Sequence, residues 1–259
     1  MAVSVRRIKM ELNTIYNEDC LEGMKRIPDG SIDMILTDLP YGTTACSWDE
    51  VIPFEPMWEQ FERVIKENGA IVLTARQPFT SNLVMSNTNI FRQTWVWDKV
   101  RGVNFMNANK MHTQAFEDVV VFYKKLPTYN PQFEKGEPYT DNRKTDARIK
   151  TEALGSRAGY VPIKNNGTRY PRGIVRFSSI DNNTIHPTQK PVALFEYLIK
   201  TYTNKGETVL DATIGSGTTA IACLNTDRQY VGFELDEEYY KLAQDRIKNH
   251  TQQLSLIEV

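Results

Sequence analysis

Apolar and polar positions along the chain follow two alternating periods. Short, nearly continuous apolar runs recur at Ile32–Thr37, Ala70–Thr74, Phe91–Trp97, Phe116–Tyr123, Thr208–Ala212 and Tyr230–Glu234. Runs of this length without polar alternation predict strands covered on both faces, as in a parallel sheet. A shorter strand is expected over Asn13–Cys20. Between these runs the spacing becomes helical. Phe54, Met57, Trp58, Phe61, Val64 and Ile65 predict a helix over Phe54–Glu67, closed by Asn68-Gly69. Helices are likewise expected over Leu21–Ile27, Phe79–Met85, Val192–Tyr202, Thr218–Asn225 and Glu237–His250. The alternation implies right-handed β-α-β units and an open α/β sheet.

Periodicity stops after Lys125 and returns at His186. Residues 126–185 are rich in Pro, Asn, Gly, Thr and basic residues, and so long an irregular stretch reads as a functional insertion in the core. Charge supports this view. The net charge of the 259 residues is −1, yet Lys135–Lys190 holds eleven Lys/Arg against five Asp/Glu. A local excess of six positive charges therefore sits in a chain that carries −7 elsewhere, as a phosphate-binding surface would. Composition is otherwise that of a globular protein, with 41% hydrophobic and 24% charged residues. No apolar run approaches the roughly 18 residues a bilayer requires. Arg6, Arg7 and Lys9 are not followed by an apolar segment, so no secretory leader is expected. Cys20, Cys46 and Cys223, like His112, His186 and His250, are scattered; they are expected to be reduced thiols and imidazoles of a cytoplasmic protein, with no metal site.

Two stretches carry chemistry. The run Ile32–Thr37 is followed at once by Asp38-Leu39-Pro40-Tyr41-Gly42. Proline cannot continue a central strand, so the chain leaves the sheet at its carboxyl edge, where open α/β folds bind ligands. A carboxylate, a rigid carbonyl and an aromatic ring there suit a planar ring with an exocyclic amino group. Asp38 and the Pro40 carbonyl would accept its two hydrogens and Tyr41 would stack. The plain alternative is a strand ending in a Pro-Tyr turn, with Asp38 capping a helix.

The second stretch is Thr208–Ala212, Thr213-Ile214-Gly215-Ser216-Gly217, the helix from Thr218, and a strand ending at Glu234. Strand, Gly-x-Gly turn, helix, strand and acid form the layout of a nucleotide-type cofactor pocket, with the acid on ribose hydroxyls. Glu234 lies 19 residues past Gly215, at the distance this layout uses. The third glycine of the dinucleotide fingerprint is absent, since Thr218, Thr219 and Ala220 follow Gly217. That favours S-adenosylmethionine over a pyrophosphate-bearing dinucleotide.

With Asp38-Leu39-Pro40-Tyr41, Leu210–Thr219 and His186-Pro187-Thr188-Gln189-Lys190-Pro191, the chain resembles the DNA amino-methyltransferases that modify adenine N6 or cytosine N4. The catalytic tetrapeptide precedes the Gly-x-Gly motif, the order of their β group, and the likeness covers roughly residues 13–125 and 186–250. Leu39 stands where proline is usual, and Ala212-Thr213-Ile214 replaces a common Pro-Phe. The resemblance implies a Rossmann-like class I methyltransferase fold with a mostly parallel mixed sheet and permuted motif order. Residues 1–125 and 186–259 would be the catalytic and cofactor-binding parts of one core, and 126–185 an inserted basic target-recognition region. It implies Asp38, Leu39, Pro40 and Tyr41 at the reacting amine. Asp19 and the Cys20 amide are implied at the cofactor adenine, Glu234 at its ribose, and Asp38, Asp211, Gly215, Gly217, Thr218 and Lys190 around its methionine end.

The implied reaction is direct in-line transfer to the N6 amine of a flipped-out adenine in double-stranded DNA. Asp38 favours adenine by family correlation only. Cytosine-N4 or RNA amino-methylation and a catalytically idle DNA-binding relative stand as alternatives. Cytosine-C5 chemistry is set aside because no Pro-Cys pair occurs. Lys99, Arg101, Asn104, Asn107 and Asn109 are candidate DNA contacts near the base pocket. Arg143, Lys144, Arg148, Lys150, Arg157, Lys164, Arg169, Arg172 and Arg176 are candidates from the basic segment. Members of the family occur in bacteria and phages, some with a cognate restriction endonuclease. Subunit pairing is common among them, with Phe79–Met85 or the insertion as candidate interface.

Overall fold

A computed structural model of the chain describes residues 10–43, 49–141, 163–179 and 189–257. The first elements are β1 (Thr14–Asn17), α1 (Cys20–Met24), β2 (Ile32–Asp38), α2 (Phe54–Val64), β3 (Ile65–Ala75), α3 (Phe79–Ser86), β4 (Phe91–Val103) and β5 (Gln114–Phe122). Four short strands follow: β6 (Glu134–Lys135), β7 (Tyr139–Asp141), β8 (Ile163–Asn165) and β9 (Thr168–Arg169). The chain closes with β10 (Ile174–Arg176), α4 (Val192–Tyr202), β11 (Thr208–Asp211), α5 (Thr218–Asn225), β12 (Gln229–Glu234) and α6 (Glu237–Ile257). It divides into two compact units, residues 1–130 with 173–259, and residues 131–172.

The larger unit is built on one eight-stranded sheet in the order β1-β12-β11-β2-β3-β5-β4-β10. Every neighbouring pair is parallel except those made by β5, which runs antiparallel to both β3 and β4. Alternation along the central strands sends successive side chains to opposite faces. Ile35, Ile71, Leu73, Val120 and Phe122 pack under Met24, Met57, Phe61 and Leu83 of α1–α3. Met34, Leu36, Val72, Val119 and Val121 pack with Leu194, Phe195, Leu198, Ala220 and Ala243 of α4–α6. Both faces are thus covered, which is why these strands read as unbroken apolar runs. Each fully buried aliphatic side chain contributes about 1.5–3 kcal/mol.

Several boundaries differ from the sequence expectation. The helix expected to run to Glu67 ends at Val64, and Ile65 opens β3 opposite Ile32 of β2. The strand expected over Asn13–Cys20 ends at Asn17, because Asp19 caps α1 by accepting the Leu21 and Glu22 amides. Ile174–Arg176, counted among the irregular residues 126–185, pairs with Val96–Asp98 of β4 as the last strand of the sheet. In the smaller unit β6 pairs with β9 and β7 with β8, both antiparallel. Among the described residues no helix is long and apolar enough to cross a membrane.

Candidate active site

The α4 face of the sheet changes character at its carboxyl edge. On β2 the alternate positions Met34 and Leu36 are followed by Asp38; on β3, Val72 is followed by Thr74. The reversed strand β5 reaches the same edge at its start, where Glu117 precedes Val119 and Val121. On β4, Trp95 and Trp97 lead to Lys99. Four strands therefore end their apolar rows on this face in a polar group. The edge of a cavity of about 860 Å³ lies here, and Asp19, Asp38, Tyr41, Lys99, Glu117 and Glu234 are among its walls.

Asp38 is held from three sides. Its Oδ1 accepts from the Tyr41 hydroxyl at 2.6 Å and from the Thr74 hydroxyl. Its Oδ2 meets Lys190 Nζ at 2.7 Å. An ionised carboxylate offers about four acceptor positions, so the bonds among the described residues leave one on Oδ2. Lys190 also lies 3.3 Å from Glu117 Oε2, and Glu117 Oε1 is ion-paired with Lys99. Burial alone would push the Lys190 ammonium down, but the Asp38 and Glu117 carboxylates outweigh it and hold it above its ordinary value. Glu117 is the mirror case. Burial works to raise it, and Lys190 and Lys99 bring it below the usual carboxylate range. The Tyr41 phenol is pushed well up by burial and by Asp38, and its ring packs on Phe79 at 5.2 Å between centroids. Leu39 turns its side chain into the core below the sheet, so only its backbone reaches the site.

The turn after β11 is knitted directly to this edge. The Thr213 hydroxyl donates to the Asp38 carbonyl at 3.0 Å and lies 2.8 Å from the Thr37 hydroxyl. Asp211 is spent on shaping the turn: it accepts from the Thr213 amide at 3.1 Å and from the Thr219 hydroxyl. Burial pushes its carboxyl up to about 6. Gly215 and Gly217 take left-handed φ values of +51° and +81°, and Gly217 is the N-cap of α5. A Cβ on Gly215 would meet only the Thr213 carbonyl, at 4.0 Å, so this backbone borders open cavity. Glu234 accepts the Gly215 amide at 2.8 Å and the Asp236 amide at 2.9 Å, and burial raises its carboxyl.

The expected site residues Asp19, Cys20, Asp38, Tyr41, Lys190, Asp211, Gly215, Thr218 and Glu234 all border this one cavity. Cys20 is buried, and burial pushes its thiol up to about 12, so it is no nucleophile at neutral pH. Thr218 is buried and receives a hydrogen bond from Arg246 at 3.1 Å. Lys99, expected from the sequence to touch DNA, is buried against Glu117. Arg101 lies near the end of β4, and Asn104, Asn107 and Asn109 fall on the β4–β5 connection, with Arg101, Asn104 and Asn109 exposed. The same connection presents Phe105 and Met106, 70% and 95% exposed, which had no sequence signal beyond their neighbours. Arg169 is engaged by the Glu137 carbonyl and the Tyr139 ring, Arg172 by Glu134, and Arg176 by Asp98. Arg143, Lys144, Arg148, Lys150, Arg157 and His186–Thr188 lie outside the described residues. Glu117 and Thr74 carry no motif that sequence reasoning singles out. The available signal was parity, because a charge at a position that alternation assigns to the covered face needs a buried partner.

Comparison with known proteins identifies the fold and the family. DNA adenine methyltransferase YhdJ of Escherichia coli (strain K12) is 27% identical over 258 residues, covering 93% of this chain and 84% of that protein. The fold is that of a solved M1.HpyAVI–SAM complex (TM-score 0.61, 23% identity, 90% of this chain and 98% of that one). It is also that of the cytosine-N4-specific PvuII DNA methyltransferase (TM-score 0.66, 16% identity, 95% and 93%). Both are built on the class I methyltransferase fold, which this α/β chain shares. Residues 32–245 match the DNA methylase family model of N6 and N4 methyltransferases, and the chain belongs to that family, in its β group.

Proposed function

We propose that the protein transfers a methyl group from S-adenosylmethionine to the N6 amine of an adenine flipped out of double-stranded DNA. One observation carries this reading. A carboxylate with a single remaining acceptor position, Asp38, is tied through Thr213 to a glycine turn that borders the same cavity. The residues fit the cofactor. The Gly215 backbone faces open space, Glu234 offers a carboxylate at the ribose position of the fold, and Asp19 borders the adenine end. When bound, S-adenosylmethionine supplies an electrophilic methyl group on a sulfonium centre; as the new N–C bond forms the S–C bond breaks, leaving S-adenosylhomocysteine, and the amine gives up one proton to solvent.

The protein's own part is orientation and charge. The amine of adenine is a weak nucleophile because its lone pair is delocalised into the ring. A hydrogen bond from the amine to Asp38 Oδ2, and another to the Pro40 carbonyl, favours a pyramidal nitrogen and localises the pair. Holding the reactants in a near-attack arrangement lowers the barrier by up to roughly 7 kcal/mol or more. Flipping costs a few kcal/mol, which stacking on Tyr41 offsets by about 1–3 kcal/mol. Around Val103, which lines the cavity, Arg101 of β4 and Asn104, Asn109 and the exposed Phe105–Met106 pair of the β4–β5 connection would meet the DNA. Phosphate contacts there fix register, and an apolar side chain can fill the gap in the base stack.

A second reading is cytosine-N4 methylation, supported by the likeness in fold to the cytosine-N4-specific PvuII enzyme. Chromatography of nucleosides from DNA incubated with methyl-labelled S-adenosylmethionine decides between them. N6-methyladenine is expected. N4-methylcytosine would establish the second reading, and unlabelled DNA would overturn both.

A further inference from the structure

The site contains one buried acid that the reaction, as described, leaves without a task. Glu117 stands on β5 at the carboxyl edge of the sheet, opposite Trp97 of β4, and its side chain is 8% exposed. One oxygen is ion-paired with Lys99, whose ammonium also lies 5.3 Å from the Trp97 ring centroid. The other oxygen faces Lys190 at 3.3 Å, and Lys190 in turn reaches Asp38 at 2.7 Å. Two cations and two anions are thus balanced in a row, Lys99–Glu117–Lys190–Asp38, of which the first three are buried and Asp38 is half-buried at the cavity. Lys190 stands just before Pro191, the N-cap of α4, so its ammonium is placed by the groups it meets rather than by a rigid stem.

We propose that Glu117 is a positioning residue: it is the fixed post to which Lys190 is tied, and through Lys190 it keeps the last acceptor position of Asp38 open and aimed at the target amine. The proposal rests on the assignment of Asp38 as the group that receives that amine. Its physical content is a competition. With Glu117 present, each ammonium has an anion of its own. With the charge removed, Lys190 has only Asp38 Oδ2 to pair with and closes onto it whether or not Lys99 is present, occupying the atom the substrate needs. Lys99 keeps the post itself in place, held between the Glu117 carboxylate and the Trp97 ring.

The test is a double-mutant cycle read by single-turnover methylation at saturating cofactor and DNA, with cofactor binding and melting temperature measured alongside. Glu117→Gln is expected to slow methyl transfer by about 10–100-fold, the size of an ångström-scale misplacement, while cofactor Kd moves less than about threefold. In a Lys190→Met background the same substitution is expected to change the rate by less than about twofold, because a residue acting through another has no effect once that other is gone. A merely structural Glu117 would lower melting in both backgrounds and would give independent losses. Should Glu117→Gln not fold, Lys99→Met/Glu117→Gln removes one charge of each sign and takes its place. The slow rate is expected to persist there, since the post is still missing.

A wild-type rate in Glu117→Gln or in that double variant, or a full multiplicative loss in the Lys190→Met background, overturns the proposal. Wild-type protein and Asp38→Ala are run beside these. Turnover by Asp38→Ala would instead overturn the underlying reading of the site. An active wild type, a dead Asp38→Ala and an unimpaired Glu117→Gln sink the Glu117 role alone.

Discussion

Asp38 divides its two oxygens: Oδ1 is consumed by Tyr41 and Thr74, and Oδ2 is paired with Lys190 and, in the proposed reaction, would also receive the amine. Asp38→Ala is therefore expected to abolish methyl transfer, by at least about 100-fold as for other preorganised polar groups, with cofactor affinity nearly unchanged. Methylation at a near-normal rate would refute the role. Tyr41 combines a ring and a donor, and two substitutions separate them. Tyr41→Phe keeps the ring but frees Oδ1 of one bond, so kcat is expected to fall about tenfold, the worth of a hydrogen bond to a charged group. Tyr41→Ala removes the ring too and is expected to raise the KM for DNA as well. Asp211 gives a pH signature. Its folded carboxyl sits at about 6 against an ordinary 3.8, pushed up by burial. Its contribution to stability is full below 3.8 and is lost as pH rises through 6. The stability difference between wild type and Asp211→Asn should shift in favour of the variant by roughly 3 kcal/mol across that window, at about 1.4 kcal/mol per pH unit. Denaturant titrations at pH 4 and pH 7 that give the same difference would contradict it.

Elements rather than residues explain what could be read from the chain. The central strands and α4–α6 were legible because each strand is covered on both faces, which leaves an unbroken apolar run, and each helix on one, which leaves a period of 3.6. The junction at Ile65 was not, since an apolar residue at helical spacing serves equally as the last of a helix or the first of a strand. The apolar run of β4 stops at Trp97, and Asp98-Lys99 resembles a turn; the strand continues to Val103 because Lys99 finds Glu117 across the sheet. That partnership is non-local, so no window on the sequence contains it. The Gly-x-Gly turn was legible, and its strain is local. Gly217→Ala forces a Cβ into φ +81° and sets it 3.4 Å from Ala243 and Ile247 of α6. A loss of about 1–2 kcal/mol is expected from the left-handed backbone alone, together with weaker cofactor binding. Unchanged melting would show that the turn relaxes elsewhere.

For the whole molecule, charge and chain order matter most. Residues 131–172 carry nine Lys/Arg against five Asp/Glu, inside a chain of net charge −1. Replacing Lys164 and Arg172 by Glu is expected to weaken DNA binding several-fold and to flatten its salt dependence by about one unit for each phosphate no longer neutralised. Affinity that ignores these reversals would exclude the unit from the DNA interface. Chain order has a less obvious effect. Among the described strands β1 is paired only with β12, which lies more than 200 residues later in the chain, and β11 lies between β12 and β2. A nascent chain therefore has, among the described strands, nothing to dock β1 against until residues 229–234 have been made. Half the sheet edge must wait, uncovered, for the other half to be translated. Neither residues 1–130 nor residues 173–259 should be recoverable in solution alone, whereas the two co-expressed should assemble, which makes this enzyme a natural candidate for conditional splitting.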